Sequence, residues 1–84
     1  MDIEKALELL DSDIRHEYKS KLSAISKGLE LISKCDPKSY FASGPEQIWV
    51  GDFESTVELM TEDEVLTMAK NGWFHSEDGW SIFV

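Results

Sequence analysis

Glu54, Glu58, Glu62, Asp63 and Glu64 are the residues whose type and spacing say most about chemistry. On a β-strand, Glu54 and Glu58 share one face with about 13–14 Å between them by strand rise. Regularly spaced carboxylates resemble the phosphate backbone of a nucleic acid, and such a surface can occupy a basic groove on a nucleic-acid-binding protein. Each acid also has a local explanation. Glu62, Asp63 and Glu64 suit the positive end of a helix that starts at Thr61, and Glu54 and Glu58 fit a solvated strand face. Glu46, Asp52, Glu77 and Asp78 fall at predicted turns.

Other chemistry finds little support. The two histidines, His16 and His75, are far apart in the chain. No Ser or Cys sits in a nucleophile-elbow context, and no glycine-rich loop opens a helix in a phosphate-binding pattern. Cys35 with a distant histidine could imitate a thiol dyad, but a cysteine at a helix end beside the core explains it as well. Asp11-Ser12-Asp13 begins like a calcium loop. Its fifth position is then Arg15, its sixth His16 where glycine is required, and its twelfth Leu22 where glutamate belongs. No Cys or His spacing suggests zinc, and His75, Glu77 and Asp78 read as a solvated turn. The expectation is a non-enzyme with no metal and no cofactor.

Composition narrows the partner. The chain has 84 residues, 42% of them hydrophobic, with three Trp, four Phe and two Tyr. That is too apolar for a disordered chain, and the length fits one domain, residues 1–84. Seventeen acids against eight bases give a net charge of −9. A direct nucleic-acid binder or an anionic-membrane binder needs clustered Lys and Arg, so both are disfavoured. Residues 1–38 carry eight acids and seven bases, whereas residues 39–84 carry nine acids and the single base Lys70. That asymmetry points to a partner protein with a basic surface. Met1-Asp2-Ile3-Glu4 has no basic leader, no run reaches membrane-span length, and one cysteine makes no intramolecular disulfide. A cytoplasmic location is expected.

The elements that must position these residues divide near Asp36-Pro37. Residues 1–36 read as helical. Ile3, Leu7, Leu10, Ile14, Tyr18, Leu22, Ile25, Leu29 and Ile32 form one stripe at helical spacing. Asp11-Ser12-Asp13 interrupts it with capping residues. The reading is therefore either a single helix over most of 3–34 or a bent pair, 3–10 and 13–34. Gly28 costs about 1 kcal/mol of helix propensity or permits close packing. Residues 39–84 read as an acidic, β-rich part. Gln47–Val50 is a strand, Gly51-Asp52 a tight turn, and Phe53–Leu59 a second strand with Phe53, Val57 and Leu59 facing one way. Thr61-Glu62-Asp63-Glu64 is a capping box opening a helix that ends at Asn71-Gly72. A terminal hairpin, Trp73–Glu77 and Trp80–Val84, turns at Asp78-Gly79. A two-residue loop puts Trp73, Trp80, Ile82 and Val84 on one face, whereas a bulge at Gly79 aligns Phe74 with Ile82 instead. In either register aromatics on both faces imply that both are covered. The expected fold is α+β: a long N-terminal helix, or a bent pair, on a small antiparallel sheet, in the order α-β-β-α-β-β.

The segment from Asn71 to Val84, a helix end running into Gly72-Trp73, an acidic turn, Trp80 and a closing aromatic-aliphatic strand, resembles the C-terminal ends of many small bacteriophage-encoded accessory proteins. The resemblance covers fourteen residues and marks a structural hairpin, so it carries over no functional residue. It implies an accessory protein acting on host machinery. Anti-CRISPR and DNA-mimic inhibitors are similar in being small, acidic and non-enzymatic. The expected function is a non-catalytic, acidic protein-binding module, a phage inhibitor that occupies a basic surface of a host protein, such as one that binds nucleic acid. Glu54, Glu58, Glu62 and Asp63 would form its face, and Trp49 would be a partly exposed anchor. The terminal hairpin is the other candidate surface. The alternative is a self-associating structural protein that dimerises through its N-terminal helix; monomer and homodimer both stay open.

Overall fold

In the computed structural model, which describes residues 1–84, the elements run α1 (Ile3–Asp11), α2 (Lys21–Cys35), β1 (Phe41–Ser43), β2 (Gln47–Val50), α3 (Phe53–Leu59), α4 (Glu62–Lys70), β3 (Phe74–Ser76) and β4 (Gly79–Phe83). The order is α-α-β-β-α-α-β-β, not α-β-β-α-β-β. The α+β class holds, and the acidic part from residue 39 contains two helices as well as all four strands. The sheet is antiparallel throughout, in the order β1-β2-β4-β3.

The N-terminal stripe does not form one long helix. A helix over 3–34 would extend about 48 Å, while the whole molecule measures 31 × 29 × 21 Å. Ser12 closes α1 instead, its hydroxyl donating to the Leu9 carbonyl. Residues 13–20 then run without helical structure along α4, where the Glu17 N–H donates to the Lys70 carbonyl at 2.7 Å and the Glu17 carboxylate pairs with Lys70. The second helix starts at Ser20, not at Ser12 or Asp13. Ser20 and Ser23 form a reciprocal capping box there. Leu22 leaves the stripe entirely and is 78% exposed.

The predicted second strand is helix α3. Phe53, Thr56, Val57 and Met60 are buried, a spacing of 3, 1 and 3 that only a helix places on one side. Leu59, which the alternating pattern put inside, is 67% exposed. Gly51-Asp52 is consequently not a hairpin turn. Gly51, at φ +69°, breaks β2 ahead of α3. The strand that pairs with β2 on its outer side is β1, formed by Phe41-Ala42-Ser43 ahead of the Ser43-Gly44-Pro45 loop.

The capping box at Thr61 forms as read. The Thr61 hydroxyl accepts from the Glu64 N–H at 3.2 Å and the Glu64 carboxylate accepts from the Thr61 N–H at 2.9 Å. Gly72, at φ +87°, ends α4. In the terminal hairpin the turn is Glu77-Asp78, one residue earlier than expected, with Ser76 opposite Gly79 and Phe74 opposite Ser81. Gly79 is needed as a strand residue: a Cβ there would lie 2.2 Å from the Gly51 carbonyl oxygen.

The register fixes what each face carries. Val50 and Trp80 stand side by side, as do Ile48 and Ile82, and these four side chains are buried under the helices. Ala6, Ala24, Leu31, Ile32, Val57, Val65 and Met68 supply the helical side of that core. Both buried indoles have partners, as buried Trp requires. Trp73 Nε1 donates to the Ala24 carbonyl and Trp80 Nε1 to the Thr56 hydroxyl, each at 2.9 Å. The opposite face bears Ala42, Trp49, Ser81 and Phe74 in one row and Gln47 and Phe83 beside it. Against the expectation that both hairpin faces are covered, that face is covered only in part. Leu10 of α1 and the segment after it line a hollow with Phe74 and Phe83, and Ser81 is fully buried, while Trp49 and Phe74 are half-buried and Phe83 is exposed.

Candidate functional site

Glu54 and Glu58 stay four residues apart, but on α3 rather than on a strand. Helical spacing brings them to about 6 Å between Cβ atoms, less than half the separation expected of a strand. A phosphate-like ladder on one strand face is therefore not what they form. They are a close pair on the solvent side of α3, opposite Phe53, Thr56 and Val57. Glu62 and Asp63 follow in the first turn of α4, and all four residues are exposed.

Pairing within the chain leaves this charge free. The ion pairs are Lys27–Glu30, Lys34–Glu64 and Lys70–Glu17. Of the nine acids in residues 39–84, only Glu64 has a cationic partner. Glu64 is also the one acid whose carboxyl is held below its ordinary range. The Thr61 N–H that it accepts is the main cause, and Lys34 adds to it. Glu64 is thus committed to helix capping. Glu54, Glu58, Glu62 and Asp63 carry no such internal commitment.

The structure links these acids to the turns. A cleft of about 250 Å³ is lined by Asp52 and Glu54 on one side and by His75, Glu77 and Asp78 on the other. The His75 ring meets the Phe53 ring edge-on at 4.4 Å between centroids. Asp78 reaches a second hollow, of about 180 Å³, that it shares with Tyr40, Ala42 and Trp49. Trp49, the expected partly exposed anchor, is half-buried on the open sheet face, whereas Trp73 and Trp80 are core. Trp49 therefore stands apart from Glu58, Glu62 and Asp63, with Asp78 and Glu54 as the bridge between the two regions.

Sequence reasoning missed Tyr40, which is 63% exposed and shares the Trp49 hollow. The signal was present in Tyr40-Phe41-Ala42-Ser43, a short β-prone run beside a Gly-Pro turn. It also placed Glu77 and Asp78 at turns without seeing that the hairpin folds them back towards Glu54.

No cluster of three His, Cys, Asp or Glu has metal-binding geometry. Cys35 is half-buried, and burial together with the nearby Glu64 charge pushes its thiol pKa up, away from the reactive thiolate. His16 lies against Tyr18, with ring centroids 5.9 Å apart, on the segment that packs along α4. No helix is long and apolar enough to cross a membrane. The site defines a class, an acidic α+β domain with an open aromatic sheet face. Beyond that class, no family model, curated protein or solved structure matches the chain.

Proposed function

We propose that this chain is a non-catalytic binding module that occupies a basic surface on another protein. The observation that carries the reading is the uncommitted charge: eight of the nine acids in residues 39–84 have no cationic partner in the fold. Isolated, such charge costs self-repulsion; against a basic surface it gives steering and specificity. In the phage setting that the C-terminal segment resembles, the consequence would be inhibition of a host protein, including one that binds nucleic acid in the same basic groove.

The test is a double charge reversal, Glu54→Lys with Glu58→Lys, in capture experiments from host lysate. A specific partner should be retained by the wild-type chain at low salt and released as salt rises. The double variant should lose it while circular dichroism stays unchanged. Salt-independent capture, or full retention by the variant, would overturn electrostatic recognition.

A further inference from the structure

The sheet order leaves β1 as an edge strand, and both sides of that edge open onto hollows. We propose that β1 takes an extended segment of the basic partner as a fifth strand, seating an arginine or lysine of that segment in the hollow between Tyr40, Trp49 and Asp78. This rests on the reading of the chain as a binder of basic proteins, and deepens it by naming the surface and the form of the ligand.

The backbone is free to receive a strand. The Gly51 N–H donates to the Tyr40 carbonyl at 2.6 Å, and the Gly44 N–H donates to the Gln47 carbonyl at 2.8 Å. Bonded positions alternate along an antiparallel pair, so Ala42 also bonds to β2, while Phe41 and Ser43 turn their N–H and C=O groups outward. No loop or cap hydrogen bond takes up those groups, and both residues are exposed, Phe41 to 54%. Edge strands are blunted by short length, a charge, a proline or a bulge, and β1, at three residues, uses only the first of these. Phe41-Ala42-Ser43 carries no charge and no proline. Two outward residues separated by one are the spacing that main-chain strand addition uses.

Side chains of an added strand would alternate between the two faces of the sheet. On the helix side they meet a groove of about 430 Å³ between α2 and β1, where Leu29, Ile32, Phe41 and Val50 form an apolar floor beside the polar residues Glu30 and Asp36. On the open side they meet the hollow of Tyr40, Ala42, Trp49 and Asp78. Two aromatic side chains beside a carboxylate suit a guanidinium or ammonium group, and no base of this chain lines the hollow. Alternating apolar and basic residues therefore match the edge. A second copy of this chain is the poorer occupant, because each copy carries a net charge of −9.

The test uses the peptide acetyl-Gly-Val-Arg-Val-Arg-Val-Gly-amide, titrated into the full chain at low salt and followed by amide NMR. Saturable shifts at Phe41, Ser43 and the Trp49 indole N–H are expected, with slowed exchange of the Phe41 and Ser43 amides. Ser43→Pro removes an outward donor without touching the bonds to β2, and should abolish binding. Asp78→Asn should weaken it by about tenfold, the loss of one charge-assisted contact. A peptide with glutamine in place of arginine should not bind. Shifts confined to Glu54, Glu58, Glu62 and Asp63 would overturn the edge site while leaving the binding of basic proteins standing. Unimpaired binding by a folded Ser43→Pro chain, or no response at any residue, would overturn it as well.

Discussion

Gly28 shows how one residue can set the packing of a whole face. A Cβ at this position would lie 2.0 Å from both Cε2 and Nε1 of Trp73. The indole therefore lies directly on the α2 backbone, where it donates to the Ala24 carbonyl. Alanine gains about 1 kcal/mol of helix propensity, but the ring has nowhere to move, and overpacking of this kind costs about 1–3 kcal/mol or more. Gly28→Ala should lower the melting temperature despite its better propensity, measured by thermal circular dichroism. Thr56 is the second decisive residue. Its buried hydroxyl accepts from Trp80 Nε1 and sits 2.9 Å from the Asp52 and Phe53 carbonyls. Thr56→Val keeps the shape and leaves the indole N–H unpaired, a loss of about 1–3 kcal/mol, whereas Thr56→Ser should recover most of it. Denaturant melts of the two variants decide this. Cys35 should alkylate more slowly in the folded chain than after unfolding, because burial and Glu64 hold its thiol protonated.

At the scale of elements, the capping box that opens α4 has a pH signature. The Glu64 carboxyl is held low chiefly by the Thr61 N–H, so its contribution to stability is fully present above the unfolded carboxyl pKa. That contribution is lost as pH falls through the lowered folded value. Thr61→Ala should cost about 1 kcal/mol at neutral pH but keeps the backbone N–H that holds Glu64 low, so Glu64→Gln is the change that should flatten the acid side of the stability profile, which melts across an acid pH series would show. This box was legible because its signal is local: Thr61 and Glu64 need only each other. The Asn71-Gly72 stop was legible for the same reason. The elements that were misread depend on the rest of the molecule. Phe53, Val57 and Leu59 fit an alternating pattern, and only burial of Thr56 and Met60 reveals the helical period. The stripe through Ile14 and Tyr18 kept its helical phase, yet the room available under the sheet breaks the chain at Ser12. Strand β1 is three residues long and gains its identity from pairing with β2. The acids were recognised from composition, but their geometry changed with α3, and the hollow that joins Asp78 to Trp49 exists only once β4 pairs with β2.

At the scale of the molecule, the chain repeats one order of elements: two helices and a hairpin, then two helices and a hairpin, joined where β2 pairs with β4. The seam between the halves is also the middle of the core, since Val50 and Ile48 lie against Trp80 and Ile82 there. Truncation after Gly79 would remove β4, one of the two inner strands, and with it about 3–5 kcal/mol for Trp80 alone, comparable to the whole stability of such a domain. The truncated chain should be unfolded by proton NMR; a folded product that had lost only partner binding would instead make Trp80 and Phe83 interface anchors. Helix-mediated dimerisation would have to compete with the fold for its seam, because Leu7, Leu10, Ile25 and Leu29 pack partly against this chain's own core and of the seam only Leu22 is fully exposed. The full chain should therefore sediment as a monomer at micromolar concentration, and a dimer dissociated by Ile25→Glu without unfolding would restore the alternative. Net charge gives the last and most general expectation. A chain at −9 with most carboxylates unpaired repels itself, and added salt screens that repulsion over about 10 Å at 0.1 M. Raising salt should therefore raise the melting temperature, by about 4–8 °C for each kcal/mol relieved in a domain of this size. The same screening should weaken capture of a basic partner. Opposite salt dependences of stability and binding, measured on one preparation, are what an acidic binding surface requires. If both quantities rise with salt, recognition is apolar, and the open face bearing Trp49, Phe74 and Phe83 acts without the carboxylates around it.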